Sequence, residues 1–96
     1  MFVQPNQTMD RRTLLPALES PLSEFVPEVA SAREVVMSGL DWPTPYWPEL
    51  AVTWLEDGMP MDDEIARMLS RIADTKTFPQ KLRHRSAALV RQWTRR

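Results

Sequence analysis

The chain has 96 residues and no cysteine, and its 12 Lys and Arg side chains nearly balance 13 Asp and Glu, giving a net charge of −1. This length fits one domain with one modest hydrophobic core. The composition excludes disulfides and cysteine-based zinc sites, and no apolar run reaches the roughly 20 residues of a membrane-spanning helix, so we expect a cytoplasmic protein.

The N-terminal quarter of the sequence is rich in proline. Residues 1–12 are mostly polar around Pro5 and predict a flexible N-terminal arm, followed by one domain over residues 13–96. Residues 13–27 hold three prolines and several large apolar side chains. They predict two short helical turns, the second capped by Ser20, that pack onto the domain or onto a partner.

Two longer helices are expected in the middle of the chain. The first covers residues 27–38, with Pro27 in its first turn and Gly39 just past its end. The second covers residues 45–57, with Thr44 as its N-terminal cap and Gly58 as its stop.

The strongest helical periodicity lies in the last third of the chain. A helix over residues 62–74 begins with Asp62 as its cap, followed by acidic residues in the positive first turn. A final helix over residues 78–94 opens with Thr77 and Gln80 in the spacing of a capping box.

These elements predict an all-α fold, a small single-domain bundle of about four helices with Pro-rich connections. Apolar residues at helical spacing predict its core, which comprises Val29, Val36, Leu50, Trp54, Ile65, Leu69, Ile72, Leu82, Leu89 and Trp93.

Charge is divided unevenly along the chain. Residues 1–75 carry a net charge of −8, whereas residues 76–96 carry seven basic residues and no acid. At 100° per residue the final helix is amphipathic, with a cationic side that includes Lys81, His84, Arg91 and Arg95. Two interpretations stay open: the acidic body neutralises this segment, or the segment binds an anionic partner.

Catalytic chemistry has little support in the sequence. The single histidine, His84, has basic neighbours and no carboxylate to orient it. The consecutive acids Asp62, Asp63 and Glu64 fit a helix start better than a metal site. With only two glycines, phosphate-binding loops are nearly excluded. We therefore expect no enzyme, no metal and no cofactor.

The last two predicted helices also resemble a DNA-binding helix-turn-helix pair. The residues then placed for bases or phosphates are Lys76, Thr77, Gln80, Lys81, Arg83 and His84. The turn is long and lacks the usual glycine, and the basic residues extend along the whole final helix, so DNA binding is the alternative hypothesis.

The segment "DWPTPYWPEL" over residues 41–50 combines three aromatic residues with three prolines. Aromatic side chains on a stiff segment lose little conformational entropy on binding. We predict a regulator or inhibitor, of the size typical of those encoded by phages and plasmids, that docks on an acidic surface of a protein partner. The predicted contact residues are Trp42, Tyr46, Trp47, Lys81, His84, Arg85, Arg91 and Arg95.

Overall fold

A computed structural model describes residues 11–27 and 30–95, and in this part of the chain every regular element is helical. The predicted all-α fold is confirmed, and a short first helix is present in addition to the four predicted ones. The elements are α1 (Arg11–Leu14), two 3-10 turns (Leu15–Glu19 and Leu22–Glu24), α2 (Ala32–Leu40), α3 (Tyr46–Glu56), α4 (Asp63–Asp74) and α5 (Gln80–Thr94). Most of the predicted arm, residues 1–10, lies outside the described residues.

The Pro-rich segment after α1 forms two short turns, as predicted, and packs onto the helices. The indole N–H of Trp54 donates to the Ser20 carbonyl across 3.0 Å, and the Trp54 ring meets Phe25 edge-on with 5.3 Å between centroids. Ser20 was predicted to cap the second turn. It instead ends the first turn, because its N–H donates to the Ala17 carbonyl and Pro21 precedes the second.

The start of α2 differs from the predicted position at residue 27. The Ser31 hydroxyl accepts from the Glu34 N–H across 3.1 Å, and the Ser31 N–H donates to the Glu34 carboxylate across 2.9 Å. This reciprocal capping box satisfies two backbone donors and begins the helix at Ala32. The predicted core residue Val29 lies outside the described residues.

Gly39 was predicted to follow the end of this helix, but it lies inside α2, which continues to Leu40. Neighbouring elements lie close to Gly39 on the side where a Cβ atom would project. A Cβ atom there would lie 2.6 Å from Cδ1 of Leu18, 3.1 Å from Cβ of Ala51 and 3.2 Å from the Trp47 carbonyl oxygen. The close approach of neighbouring elements, and not a turn, therefore favours glycine at this position.

The other predicted helix ends are partly confirmed. Gly58 stops α3 with φ of 113°, a left-handed conformation that favours glycine. Asp62 caps α4 by accepting from the Ile65 N–H across 2.9 Å. Thr44 does not cap α3, because Pro45 occupies that position without a side-chain hydrogen bond.

The capping box predicted at the start of α5 is wrong. The Phe78 N–H donates to the Thr75 carbonyl across 3.0 Å, so a separate turn precedes the helix. This turn places Pro79, and not Thr77, at the cap position.

The core lies where α2, α3, α4 and α5 meet. The predicted core residues that are buried are Val36, Trp54, Ile65, Leu69, Ile72, Leu82 and Leu89, whereas Leu50 and Trp93 are half-buried. Over the described ranges, we find no helix with the length and apolarity needed to cross a bilayer.

Candidate protein-binding surface

One side of α5 carries a stripe of exposed basic residues, which we call the cationic face: Lys81, His84, Arg91 and Arg95. The opposite side of the same helix is buried through Leu82, Ser86 and Leu89. At about 1.5 Å per residue the stripe is roughly 20 Å long. In the described part of the chain, none of its four side chains makes a hydrogen bond or an ion pair.

Arg85 was predicted as a partner-binding residue, but its guanidinium is engaged within the protein. It donates to Glu56 across 2.7 and 3.1 Å and to the Thr53 hydroxyl across 2.9 Å. The hydrogen bond with Glu56 raises the pKa of Arg85. Its charge is compensated and it ties α5 to α3, so we leave it out of the cationic face.

The residues of the DNA-binding alternative cluster around the start of α5. Lys76, Thr77, Gln80 and Lys81 are exposed there, as is His84 one turn further on. The last of the set, Arg83, is only partly exposed. Its Nε is buried without a hydrogen-bond partner among the described residues.

The aromatic segment does not project from the surface as a unit. Tyr46 is 54% exposed, but its hydroxyl donates to Glu19 across 2.7 Å, which raises the pKa of Tyr46. The Tyr46 ring meets Trp47 edge-on at 4.8 Å between centroids, and Trp47 is half-buried.

Trp42 forms one wall of a cleft of 250 Å³, which we call the Trp42 cleft. It lies between the loop after α2, the C-terminal half of α4 and the turn before α5. Its lining includes Trp42, Pro43, Met68, Arg71, Thr75 and Phe78. Sequence reasoning missed this cleft, because its walls come from three separate stretches and only the fold brings them together.

The acidic residues at the start of α4 have structural partners. Arg33 donates to Asp62 across 2.6 Å and to Glu64 across 2.9 Å, and the indole N–H of Trp93 donates to Asp63 across 3.3 Å. The Arg33 hydrogen bond, followed by that from the Ile65 N–H, lowers the pKa of Asp62. Among the described His, Asp and Glu side chains, no group of three is placed to hold a metal ion.

The predicted partner-binding residues therefore do not form one continuous surface. The Trp42 cleft lies next to the beginning of α5, whereas Arg91 and Arg95 lie near its end, roughly 20 Å away along the helix. Comparisons of the chain with protein-family models, with curated proteins and with solved structures find no match.

Proposed function

We propose that this protein is a non-catalytic regulator or inhibitor that docks on an acidic surface of a protein partner through the cationic face. One observation supports this most strongly. Four basic side chains share one side of α5 without an acidic partner in the described chain, whereas Arg33 on α2 and Arg85 on another side of α5 are paired with acids.

The arrangement of the cationic face costs stability unless an anion is near. Arg91 and Arg95 are like charges four residues apart, which repel by a few tenths of a kcal/mol on an isolated helix. Their position near the C-terminal end of α5 offsets part of this, since positive charge is favoured there. Lys81 lies in the first turn, where the helix end disfavours a cation. An acidic partner would reduce both the repulsion between Arg91 and Arg95 and the unfavourable interaction of Lys81 with the start of the helix.

Charge of this kind acts mainly on the rate of association. The double reversal Lys81→Glu/Arg91→Glu is expected to slow association with the partner and to weaken its dependence on salt. The sequence also predicts an aromatic anchor near residues 42–47, so Trp47→Ala, which truncates a half-buried indole there, is expected mainly to speed dissociation.

Duplex DNA is the second candidate partner, and the exposure of Lys76, Thr77 and Gln80 at the turn before α5 favours it. A DNA-binding protein of this kind would lose affinity steeply as salt increases, because its lysines and arginines release counterions from the phosphates. The cytoplasmic location expected from the sequence stays a prediction.

One experiment separates the two candidates. The purified protein is titrated against random-sequence duplex DNA at low and physiological salt, while immobilised protein is used to capture partners from a lysate of the source cells. We expect a stoichiometric protein companion and no retention of DNA at physiological salt. Salt-sensitive DNA binding without a protein companion would replace the protein-docking proposal with the DNA-binding one.

A further inference from the structure

We propose that the Trp42 cleft is a receptor for one large apolar side chain, presented by an acidic peptide segment of the partner. This inference rests on the proposed function for its premise that the partner is a protein. It assigns a second recognition site, whose lining residues are not those of the cationic face. It also changes the role of Trp42, which forms a wall that accepts an anchor residue instead of being the anchor itself.

The size of the cleft fits one side chain. Its volume is 250 Å³, below the roughly 300–1,000 Å³ of pockets that hold whole small molecules or cofactors. It is open to the surface between two structural walls, α4 and the loop after α2. A peptide lying across the opening could therefore insert a single leucine, methionine or aromatic residue.

The lining has the chemistry of an adaptable apolar site. Trp42 offers a half-buried indole, Met68 a half-buried thioether and Phe78 a buried ring. Methionine has no branches and a polarisable sulfur, so it adjusts to side chains of different shape. An aromatic wall offers a large contact area at low cost in conformational entropy.

Arg71 contributes an exposed positive charge to the lining of the cleft, which favours an acidic sequence around the anchor residue. Arg71 lines the cleft, and Lys76 lies in the chain between two other lining residues, Thr75 and Phe78. The side chains of Arg71 and Lys76 are exposed, and neither has an acidic partner in the described chain. The acidic lining residue, Asp41, is already engaged in an interaction of its own. An apolar side chain flanked by Asp or Glu is therefore the complementary ligand.

The test is a selection of displayed random peptides on the immobilised full chain, followed by binding measurements on the enriched peptides. We expect enrichment of peptides with one large apolar residue next to acidic residues. Replacing the apolar residue with alanine is expected to weaken binding by at least about tenfold, since burial of such a side chain contributes about 1.5–3 kcal/mol.

A matched pair of variants locates the binding. Arg71→Glu is expected to weaken the enriched peptides about fivefold, whereas Arg67→Glu, an exposed position one turn earlier on α4 and outside the cleft lining, leaves them unchanged. Trp42→Ala is expected to abolish binding, and its melting temperature shows whether the fold is retained. If Trp42→Ala unfolds, the Arg71 and Arg67 pair decides the question alone.

Several outcomes would overturn the proposal. These are no enrichment above an empty matrix, enrichment of peptides without acidic residues, and equal binding to Arg71→Glu and Arg67→Glu. Concentration-dependent self-association through Trp42 would assign the cleft to a second copy of the chain and would also overturn it. If the peptide experiment fails, the proposal that the cationic face docks on a partner still stands. That proposal is tested separately with Lys81→Glu/Arg91→Glu, which should lose binding to the partner while peptide binding stays intact.

Discussion

Arg33 and Asp62 form an ion pair that joins the beginnings of two helices. The Arg33 Nε donates to Oδ2 of Asp62 across 2.6 Å, while Oδ1 of the same carboxylate accepts from the Ile65 N–H and caps α4. One carboxylate therefore both begins α4 and holds α2 against it. The sequence predicts the cap but not the ion pair, since Arg33 lies 29 residues away in the chain.

This arrangement predicts a pH dependence. The pKa of Asp62 is lowered in the folded protein, first by Arg33 and then by the Ile65 N–H. Its ionised form therefore contributes stability that is fully present above the ordinary aspartate pKa of about 4 and is lost as the pH falls through the lowered value. The free energy of unfolding of the wild type should exceed that of Asp62→Asn at neutral pH, and the difference should disappear in acid.

Urea unfolding of both proteins at a series of pH values measures this difference. Asp62→Ala, which loses the cap as well, should be less stable than the wild type by about 1 kcal/mol at neutral pH. A difference between the wild type and Asp62→Asn that stays constant down to strongly acidic pH would show that the charge of Asp62 contributes nothing.

Gly39→Ala should destabilise the protein, although the same change at a solvent-exposed position inside a helix is stabilising by about 1 kcal/mol. The new Cβ would meet Leu18, Ala51 and the Trp47 carbonyl, and only the Leu18 side chain can rotate away easily. Overpacking of this kind costs about 1–3 kcal/mol. Ser70→Ala, at an exposed position inside α4, is the control and should be neutral or slightly stabilising. Equal stabilisation by both changes in urea unfolding would show that α2 and α3 do not approach this closely.

Trp54→Phe should loosen the Pro-rich segment locally. The substitution removes the indole N–H that donates to the Ser20 carbonyl, and it replaces the indole that contacts Phe25 with a smaller ring. Hydrogen exchange should accelerate at the amides of Ser20, Glu24 and Phe25, which bond within the two 3-10 turns, more than at amides inside α5.

Trp93→Phe is the matched control, because its indole N–H donates to Asp63 on α4. It should leave exchange at those three amides at the wild-type rate. Uniform acceleration along the chain in Trp54→Phe would mean that the segment and the helices unfold as one unit.

Ser86→Ala should be neutral or stabilising. Ser86 is fully buried in α5, and its hydroxyl has no hydrogen-bond partner among the described residues. Removing an unsatisfied buried hydroxyl relieves a desolvation cost, and alanine is the better helix former. Leu82→Ala, one turn earlier on the same face, should cost about 2–5 kcal/mol. Destabilisation by more than about 1 kcal/mol in Ser86→Ala would show that the hydroxyl has a partner.

Sequence patterns predict the helices of this protein better than their ends. The periodicity of α4 and its cap at Asp62 are local properties, so both are confirmed. At α2 the prolines suggested an earlier start, but the reciprocal bonds of Ser31 and Glu34 set the boundary. Thr77 matched a capping pattern, yet the preceding turn moved it away from the helix.

Features of the candidate surfaces that depend on distant residues could not be predicted. The helical wheel places Lys81, His84, Arg91 and Arg95 on the exposed side of α5, as the structure has them. It gives no sign that Arg85 would meet Glu56, because that contact depends on how α5 lies on α3. The Trp42 cleft was missed for the same reason, since it exists only after α4 is placed beside the loop after α2.

We propose above that the cationic face recognises an acidic protein surface. The most direct test of this proposal is quantitative capture from lysate with three immobilised baits: wild type, Arg91→Glu and Arg67→Glu. The two variants change net charge equally at exposed helical positions, but only Arg91 belongs to the cationic face. We expect a stoichiometric companion that is retained by the wild type and by Arg67→Glu and is depleted on Arg91→Glu. Equal retention on all three baits, or no stoichiometric companion on any, would contradict it.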